Sequence, residues 1–485
     1  MLIKAIKSIL KNKLMLYLGS RYATYFIQFI TSLLIAAKLG PDNFAVWGVV
    51  LLILNYFRIV NFGVSNALNI FAIQNKDDTA TVKEVTASSI TILFCVSLLI
   101  VGVGAFQYAI GFDYIEKYAL GNLFYLACIA AILTHFNTLF MNIYRIKNRL
   151  FEIALYQSVI PFIVFIVTLF APLNNLLYLL TLSYVIGNLV ALFVFISNGK
   201  IPFGAWPNLS WVKRILDKGL FLFIYNVCFY LVLLSIRTFI SIEYSVTEFG
   251  FFSFSFALAN AILLFLQALT FIVFPKVIDK FNTTDKEYVS TLISNIRDSY
   301  VSFSFGLVFL AIIFFPVLIY FLPQYSDALM SLQLIALTII MYTQSFGYNT
   351  YLMAQNKERR IALMSFMTLF LNIAIASTLI YVFKVNYSYV IFATLVSYFF
   401  YAFSAMHYAK KELEIKHSFK NNCIDIFPLR LCIPYVLAIL IVVSKVTYAL
   451  PLPLVIFLIM NKRNLAGVYN RLKSLFVKPD IINLD

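Results

Sequence analysis

Apolar residues run along this chain in blocks of about twenty, long enough to cross a hydrocarbon core of roughly 30 Å as helices. Short polar stretches separate them. The blocks predict fourteen helical spans, at 14–38, 44–73, 86–110, 118–143, 152–171, 176–197, 219–242, 249–275, 297–322, 327–353, 361–383, 387–408, 427–444 and 447–461, of which the last two are the shortest. Before the first span, Ile3, Ile6 and Leu10 alternate at helical spacing with Lys4, Lys7 and Lys11, the pattern of a helix lying on a membrane surface. No small-residue cleavage site follows it, so residues 1–13 read as a cytoplasmic interfacial segment rather than a cleaved leader. After the last span, Leu465, Val468, Leu472, Leu475 and Phe476 repeat that pattern in a basic tail at 462–485. The longest connection, 198–218, carries Trp206 and Trp211 and reads as an interfacial linker between 14–197 and 219–408. Residues 409–461 add a charged loop and two final spans.

Composition agrees with an all-α polytopic membrane protein. Hydrophobic residues make up 62% of the 485, charged residues only 12%, and the mean hydropathy is +0.90. The formal charge of +16 would suit nucleic acid if it formed a patch, but it falls in short clusters between spans and therefore reads as topology. Thirty of the 37 Lys and Arg lie in the termini, at span boundaries or in alternate loops, against only Lys38, Lys117, Lys384 and Lys445 on the opposite side. The positive-inside rule then puts both termini in the cytoplasm. The five cysteines show no CxxC spacing and read as small apolar helix residues, not as a metal or disulfide set. No catalytic triad, metal cluster, Walker A sequence or Rossmann fingerprint occurs, and the loops are too short for an ATPase. A transporter without cofactor or metal is expected, rather than an enzyme.

Three basic residues belong to no loop: Arg21, Arg58 and Arg237. Burying a guanidinium at a span centre costs about 2.5–3.5 kcal/mol or more, so such a residue faces protein or a wet cavity, snorkels, or bonds backbone carbonyls. Arg21 shares a helical face with Thr24 or Tyr25, Gln28, and Thr31 or Ser32; Asn55, Arg58, Ser65 and Asn69 form a second seam; Asn226, Tyr230, Arg237 and Ser241 a third. Counted from the turn at Gly40 and Pro41, Arg21 and Arg58 fall at similar depth. No Asp or Glu lies deep in any span. Guanidiniums without an acidic partner suit an anion, and Arg is fitted to bidentate contact with phosphate. Arg21, Arg58, Arg237, Gln28, Asn55 and Asn226 are thus the candidate substrate-binding residues. His135 reads either as a proton carrier or as a helix-packing hydrogen bonder. Asn260 and Gln267 share a face and could line a cavity or join helices.

The turns "LGPDNFAVWGVV" (39–50) and "SVTEFGFFSFSF" (245–256) align at an offset of 205 residues, which superposes spans one and two on seven and eight. Repeated bundles of this kind are common in transporters. The stretches "AAKLGPDNFAVWGVV" (36–50), "VNFGVSNALNIFAIQNKDD" (60–78) and "TEFGFFSFSFALANAILLFLQALTFIVFPKVI" (247–278) resemble the polysaccharide and O-antigen flippases of the multidrug/oligosaccharidyl-lipid/polysaccharide exporter superfamily. The chain differs from that pattern in Lys38, Ala45, Asn61 and Arg237. The resemblance implies two pseudo-symmetric six-helix lobes around a central cavity, of the multidrug-exporter type, with two added C-terminal helices. It also implies a bacterial inner-membrane protein that moves an undecaprenyl-diphosphate-linked oligosaccharide outward. A polysaccharide polymerase and a chain-length regulator would be its protein partners, and no nucleic acid. The other readings are a multidrug cation exporter, which would want buried acids, and a membrane polymerase or glycosyltransferase, which would want a large exposed loop.

The charge asymmetry makes a direct prediction. Single cysteines placed at positions 358 and 198 in a cysteine-free background should react with a membrane-impermeant maleimide only in inside-out vesicles, and one at 385 only in intact cells.

Overall fold

The computed structural model describes residues 13–75, 77–111, 116–147, 149–281, 285–415 and 418–477, and these residues form helices and connecting turns with no strand. The interfacial helix expected over 1–13 falls almost wholly outside them. The helices are α1 (Lys13–Ile59), α2 (Val64–Gln74), α3 (Thr79–Ile110), α4 (Asn122–Ile146), α5 (Leu150–Phe170), α6 (Leu176–Ser197), α7 (Leu209–Glu243), α8 (Val246–Lys280), α9 (Lys286–Tyr320), α10 (Leu329–Thr343), α11 (Tyr348–Ala354), α12 (Glu358–Ser377), α13 (Phe392–Glu412), α14 (Phe419–Ile426), α15 (Leu429–Val443) and α16 (Pro451–Val477). Among the described residues, eleven helical segments are long and apolar enough to cross a membrane, or twelve if the α14–α15 pair, bent by 67°, is one span. The first of them is two limbs meeting at Gly40, whose φ of 67° breaks the helix ahead of Pro41. With a shorter apolar helix at Thr447–Lys462, these account for the fourteen expected segments.

Two spans expected to be continuous are interrupted. The second stops at Ile59 and resumes at Val64, with Phe62 and Gly63 both at positive φ. The tenth stops at Thr343 and resumes at Tyr348 across Gly347, φ 86°. Helix α7 starts at Leu209, so the second half of the 198–218 connection is already helical.

The chain forms two compact units: residues 1–227 with 245–250, and residues 228–244 with 251–485. In the first, α1 lies along α5, joined by Thr24 Oγ1 to Ser158 Oγ at 2.7 Å and by the Tyr17 hydroxyl donating to Gln157 Oε1 at 3.0 Å. Helices α4 and α6 are joined by Asn137 Nδ2, which donates to the Asn188 carbonyl (2.8 Å) and side-chain oxygen (3.0 Å). These polar pairs link helices that lipid gives no hydrophobic reason to associate. The two turns aligned in the sequence repeat meet here: Thr247 Oγ1 donates to Asp42 Oδ1 at 2.5 Å, between residues 205 apart. A Cβ at Gly250 would stand 2.1 Å from the Pro41 carbonyl oxygen, so only glycine permits that approach. In the second unit, Asn372 joins α12 to the Val232 carbonyl (2.9 Å) and Ser235 hydroxyl (3.1 Å) of α7. Ser255 and Ser331 join α8 to α10 at 2.7 Å.

The interruption at 60–63 is pressed against α7. A Cβ on Gly63 would lie 2.3 Å from the Gly219 carbonyl oxygen, and one on Gly219 would lie 2.7 Å from the Phe62 carbonyl oxygen. Gly219→Ala should therefore lower stability by about 1–3 kcal/mol through overpacking, read as a reduced midpoint in thermal unfolding of the detergent-solubilised protein. Gly306→Ala, where nothing lies within 4 Å of the added carbon, should leave that midpoint unchanged or raise it.

Candidate functional site

The first unit holds Arg21 and Arg58 on the two limbs of α1. Arg58 stands in the last turn of the second limb, where a cation is favoured by the helix dipole, and its side chain is exposed. Its position next to the interruption follows from the sequence. Asn61 closes a local turn by accepting the Gly63 N–H at 2.9 Å, and Gly63 supplies the left-handed residue that starts α2.

Around this end of α1 the fold gathers three other polar side chains. The His135 ring of α4 lies beside the Phe57 carbonyl, two residues before α1 ends, and within reach of the guanidinium charge. The same charge reaches Tyr156 of α5 and Tyr184 of α6, and Tyr156 stands near Thr138. Tyr184 also packs edge-on against Trp47 of α1, with ring centroids 5.7 Å apart. Four helices thus present a guanidinium, an imidazole and two phenols to one region. None of these residues except Arg58 and His135 stands out in the sequence, because 31 tyrosines are spread along the chain.

Arg21 is half-buried. Its guanidinium donates to the Tyr25 hydroxyl and lies 4.5 Å from that ring's centroid. Gln28 and Asn55 are half-buried on the same helix, and the Gln28 carbonyl accepts from Ser32 at 2.9 Å. At about 1.5 Å per residue, the positions of Arg21 and Arg58, some 19 and 17 residues from the Gly40 turn, put both roughly 26–28 Å from it along the helix. Both guanidiniums therefore lie towards the basic side of a roughly 30 Å core rather than at its middle.

Asn226 is exposed on α7 within the first unit. Arg237 belongs to the second unit, where it is 3% exposed with its guanidinium 4.6 Å from the centroid of Phe256. In the second unit Asn260 is half-buried on α8, while the Gln267 side chain lies outside the described ones. Sequence reasoning assigned Arg297, Lys410 and Arg430 to loops and boundaries. In the structure they form an ionic cluster with Asp298 and Asp425, in which Arg297 and Lys410 are buried and Arg430 and the two carboxylates are partly exposed. Among the described residues no group of three or more His, Cys, Asp or Glu is placed to hold a metal ion.

No family model matches the chain, and no curated protein matches it. Solved structures do. A lipid II flippase, MurJ, in an inward closed conformation is similar at a TM-score of 0.69 and 12% identity over 95% of this chain and 100% of that one. An inward-facing multidrug resistance MATE transporter of the MOP superfamily is similar at 0.62 and 12%, over 83% of this chain and 98% of that one. A MOP superfamily transporter from Pyrococcus furiosus, described as having a binding pocket of reverse polarity, is similar at 0.51 and 12%, over 84% and 96%. The chain has the fold these membrane transporters share.

His135 divides two roles cleanly. If it serves to donate to the Phe57 carbonyl, His135→Asn should retain most of the stability while His135→Leu loses about 1–3 kcal/mol, measured as thermal midpoints of the purified protein at matched pH.

Proposed function

We propose that this protein is a flippase for an undecaprenyl-diphosphate-linked oligosaccharide, the repeat unit of an O-antigen or related surface polysaccharide, working by alternating access in the bacterial inner membrane. The observation that carries the reading is the exposed Arg58 side chain at the broken end of α1, whose charge reaches His135, Tyr156 and Tyr184 of three neighbouring helices. Apart from Glu152, the six spans expected in the first lobe contain no Asp or Glu. A cation-binding exporter would need such acids, whereas a diphosphate needs the arginines and phenol donors that are present. The MurJ likeness supports a lipid-linked substrate, and the reverse pocket polarity described for the Pyrococcus transporter, taken there to suggest a different function, is a precedent for such variation on this fold.

In this mechanism the diphosphate enters from the cytoplasmic side, where Arg21 and Arg58 lie, while the prenyl chain stays in lipid. Bidentate contact with Arg58 neutralises the head group where water is scarce. Phenols of Tyr156 and Tyr184 donate to remaining oxygens, and the sugars follow through the cavity when the protein reverses its exposure. Arg21, anchored by Tyr25, offers a second cation to the same head group. Arg237, packed on Phe256, is given a structural role in the second unit.

In a deletion strain of the host, wild type should restore surface polysaccharide. At matched membrane expression Arg58→Ala should cut it by about tenfold or more, the value of one charge-assisted hydrogen bond, and Arg58→Lys should restore it in part. Unchanged polysaccharide in the deletion strain overturns the reading, and full activity of Arg58→Ala removes Arg58 from the site.

A further inference from the structure

The second unit contains a cavity of about 420 Å³ that the transport mechanism above does not use. It is lined by residues of α9, α13, α14 and α15, and three cations converge on it: Arg297, Lys410 and Arg430. Arg297 is 5% exposed and Lys410 9%. Two carboxylates answer them. Arg430 Nη2 donates to Asp298 Oδ2 at 2.7 Å, Lys410 Nζ to Asp425 Oδ2 at 2.5 Å, and Arg297 Nη1 stands 3.7 Å from Asp298 Oδ1. Three positive charges against two negative ones leave one positive charge facing an opening of ligand size.

The hydrogen-bond inventory around the cavity is short of acceptors in the same sense. Arg297, which lines the cavity, has its Nε buried with no acceptor, and so have the amides bonded behind the lining cations, Gln344 Nε2 and Asn422 Nδ2. Neither amide can be turned to correct this. The Gln344 oxygen already accepts from Arg297 at 3.0 Å, and the Asn422 oxygen from Lys410 at 3.1 Å. A buried site with a donor surplus and a net positive charge is matched to an oxyanion.

The lipid side of this site is apolar. From Pro428, which lines the cavity, α15 carries an exposed stripe of Leu429, Ile433, Val436 and Leu440 at helical spacing, and Ile424 of α14 is exposed beside it. We propose that the cavity binds the phosphate group of an anionic phospholipid, with the acyl chains laid along α15. The phosphate completes the ionic cluster that ties α9, α13, α14 and α15 together, and so makes the second unit responsive to the lipid around it.

Native mass spectrometry of the full-length protein in detergent tests this directly, with phosphatidylglycerol, phosphatidylcholine and inorganic phosphate as probes. The expected result is one phosphatidylglycerol retained about tenfold more tightly than phosphatidylcholine, weakened by Lys410→Gln and lost in Ser294→Trp. Ser294 lines the cavity but joins none of the ion pairs, so its substitution fills the space and leaves the cluster intact. Displacement of the lipid by millimolar inorganic phosphate, or binding of phosphate alone, would show that the site takes a free anion and overturn the lipid assignment. Equal retention of the two lipids, or undiminished phosphatidylglycerol binding in Ser294→Trp, would overturn the site altogether.

Discussion

Carbonyl oxygens at helix ends are the constraint on which this structure turns. A helix that stops in or beside a bilayer exposes up to four acceptors that water cannot reach, and each must find a donor within the protein. This chain meets the need with basic side chains placed on neighbouring helices. Lys38 Nζ donates to the Thr168 carbonyl at 2.5 Å and the Leu169 carbonyl at 3.1 Å, closing the end of α5. Arg297 Nη2 donates to the Ile426 carbonyl, the last residue of α14, at 2.5 Å. For both Lys38 and Arg297 the positive group also meets the negative end of a helix dipole.

Two interruptions of otherwise continuous spans depend in turn on glycine. At Gly63 and Gly347 the backbone takes a positive φ, and at both the neighbouring element comes close enough to leave little or no room for a side chain. Gly63 meets the backbone of Gly219; Gly347 stands against Ile293 and Arg297 of α9. Backbone contact of this kind fixes where a broken helix ends more tightly than side-chain packing would, and so fixes the residue in its last turn. Arg58 is held at the edge of the first interruption and Arg297 beside the second, through Gln344. One arginine is exposed and the other is buried, because α9, α14 and α15 close over Arg297 while the end of α1 remains open.

Much of this fold was legible in hydropathy alone, since length and apolarity decide whether a segment can span a bilayer and the chain meets both tests repeatedly. The turn at Gly40 and Pro41 was legible for the same reason that helices stop there: a left-handed glycine followed by a residue that cannot continue the hydrogen-bond ladder. The interruptions at 60–63 and 344–347 were not, because the residues on both sides stay apolar and a hydropathy window runs across them. Arg58 was recognisable as a charge out of place, but the imidazole and phenols around it come from three other helices, and contact between helices leaves no mark on sequence spacing. Arg237, nearer the outer end of its span than Arg58, stood out in the same way as a charge out of place, but nothing in one dimension showed that it would be buried with its guanidinium over Phe256 of the next helix. Arg297, Lys410 and Arg430 were hidden by the rule that explained the rest, for a basic residue at a span boundary is what topology alone already predicts.

Whether an anion at the α1 interruption would be held by backbone or by side chain can be argued from the turn itself. A half-helix beginning inside a membrane commonly offers its first N–H groups to an anion. Here those groups are largely spoken for. Asn61 Oδ1 takes the Gly63 N–H at 2.9 Å, the Asn61 carbonyl takes Val64 N–H at 3.0 Å, and the Gly63 carbonyl takes Asn66 and Ala67 N–H at 3.0 Å. The start of α2 therefore adds little beyond its dipole. Arg58 must supply most of the neutralisation, with its planar fork setting the geometry and the phenols filling the remaining directions. Selectivity at such a site is a property of one side chain's shape and charge, and the interrupted backbone serves to aim it.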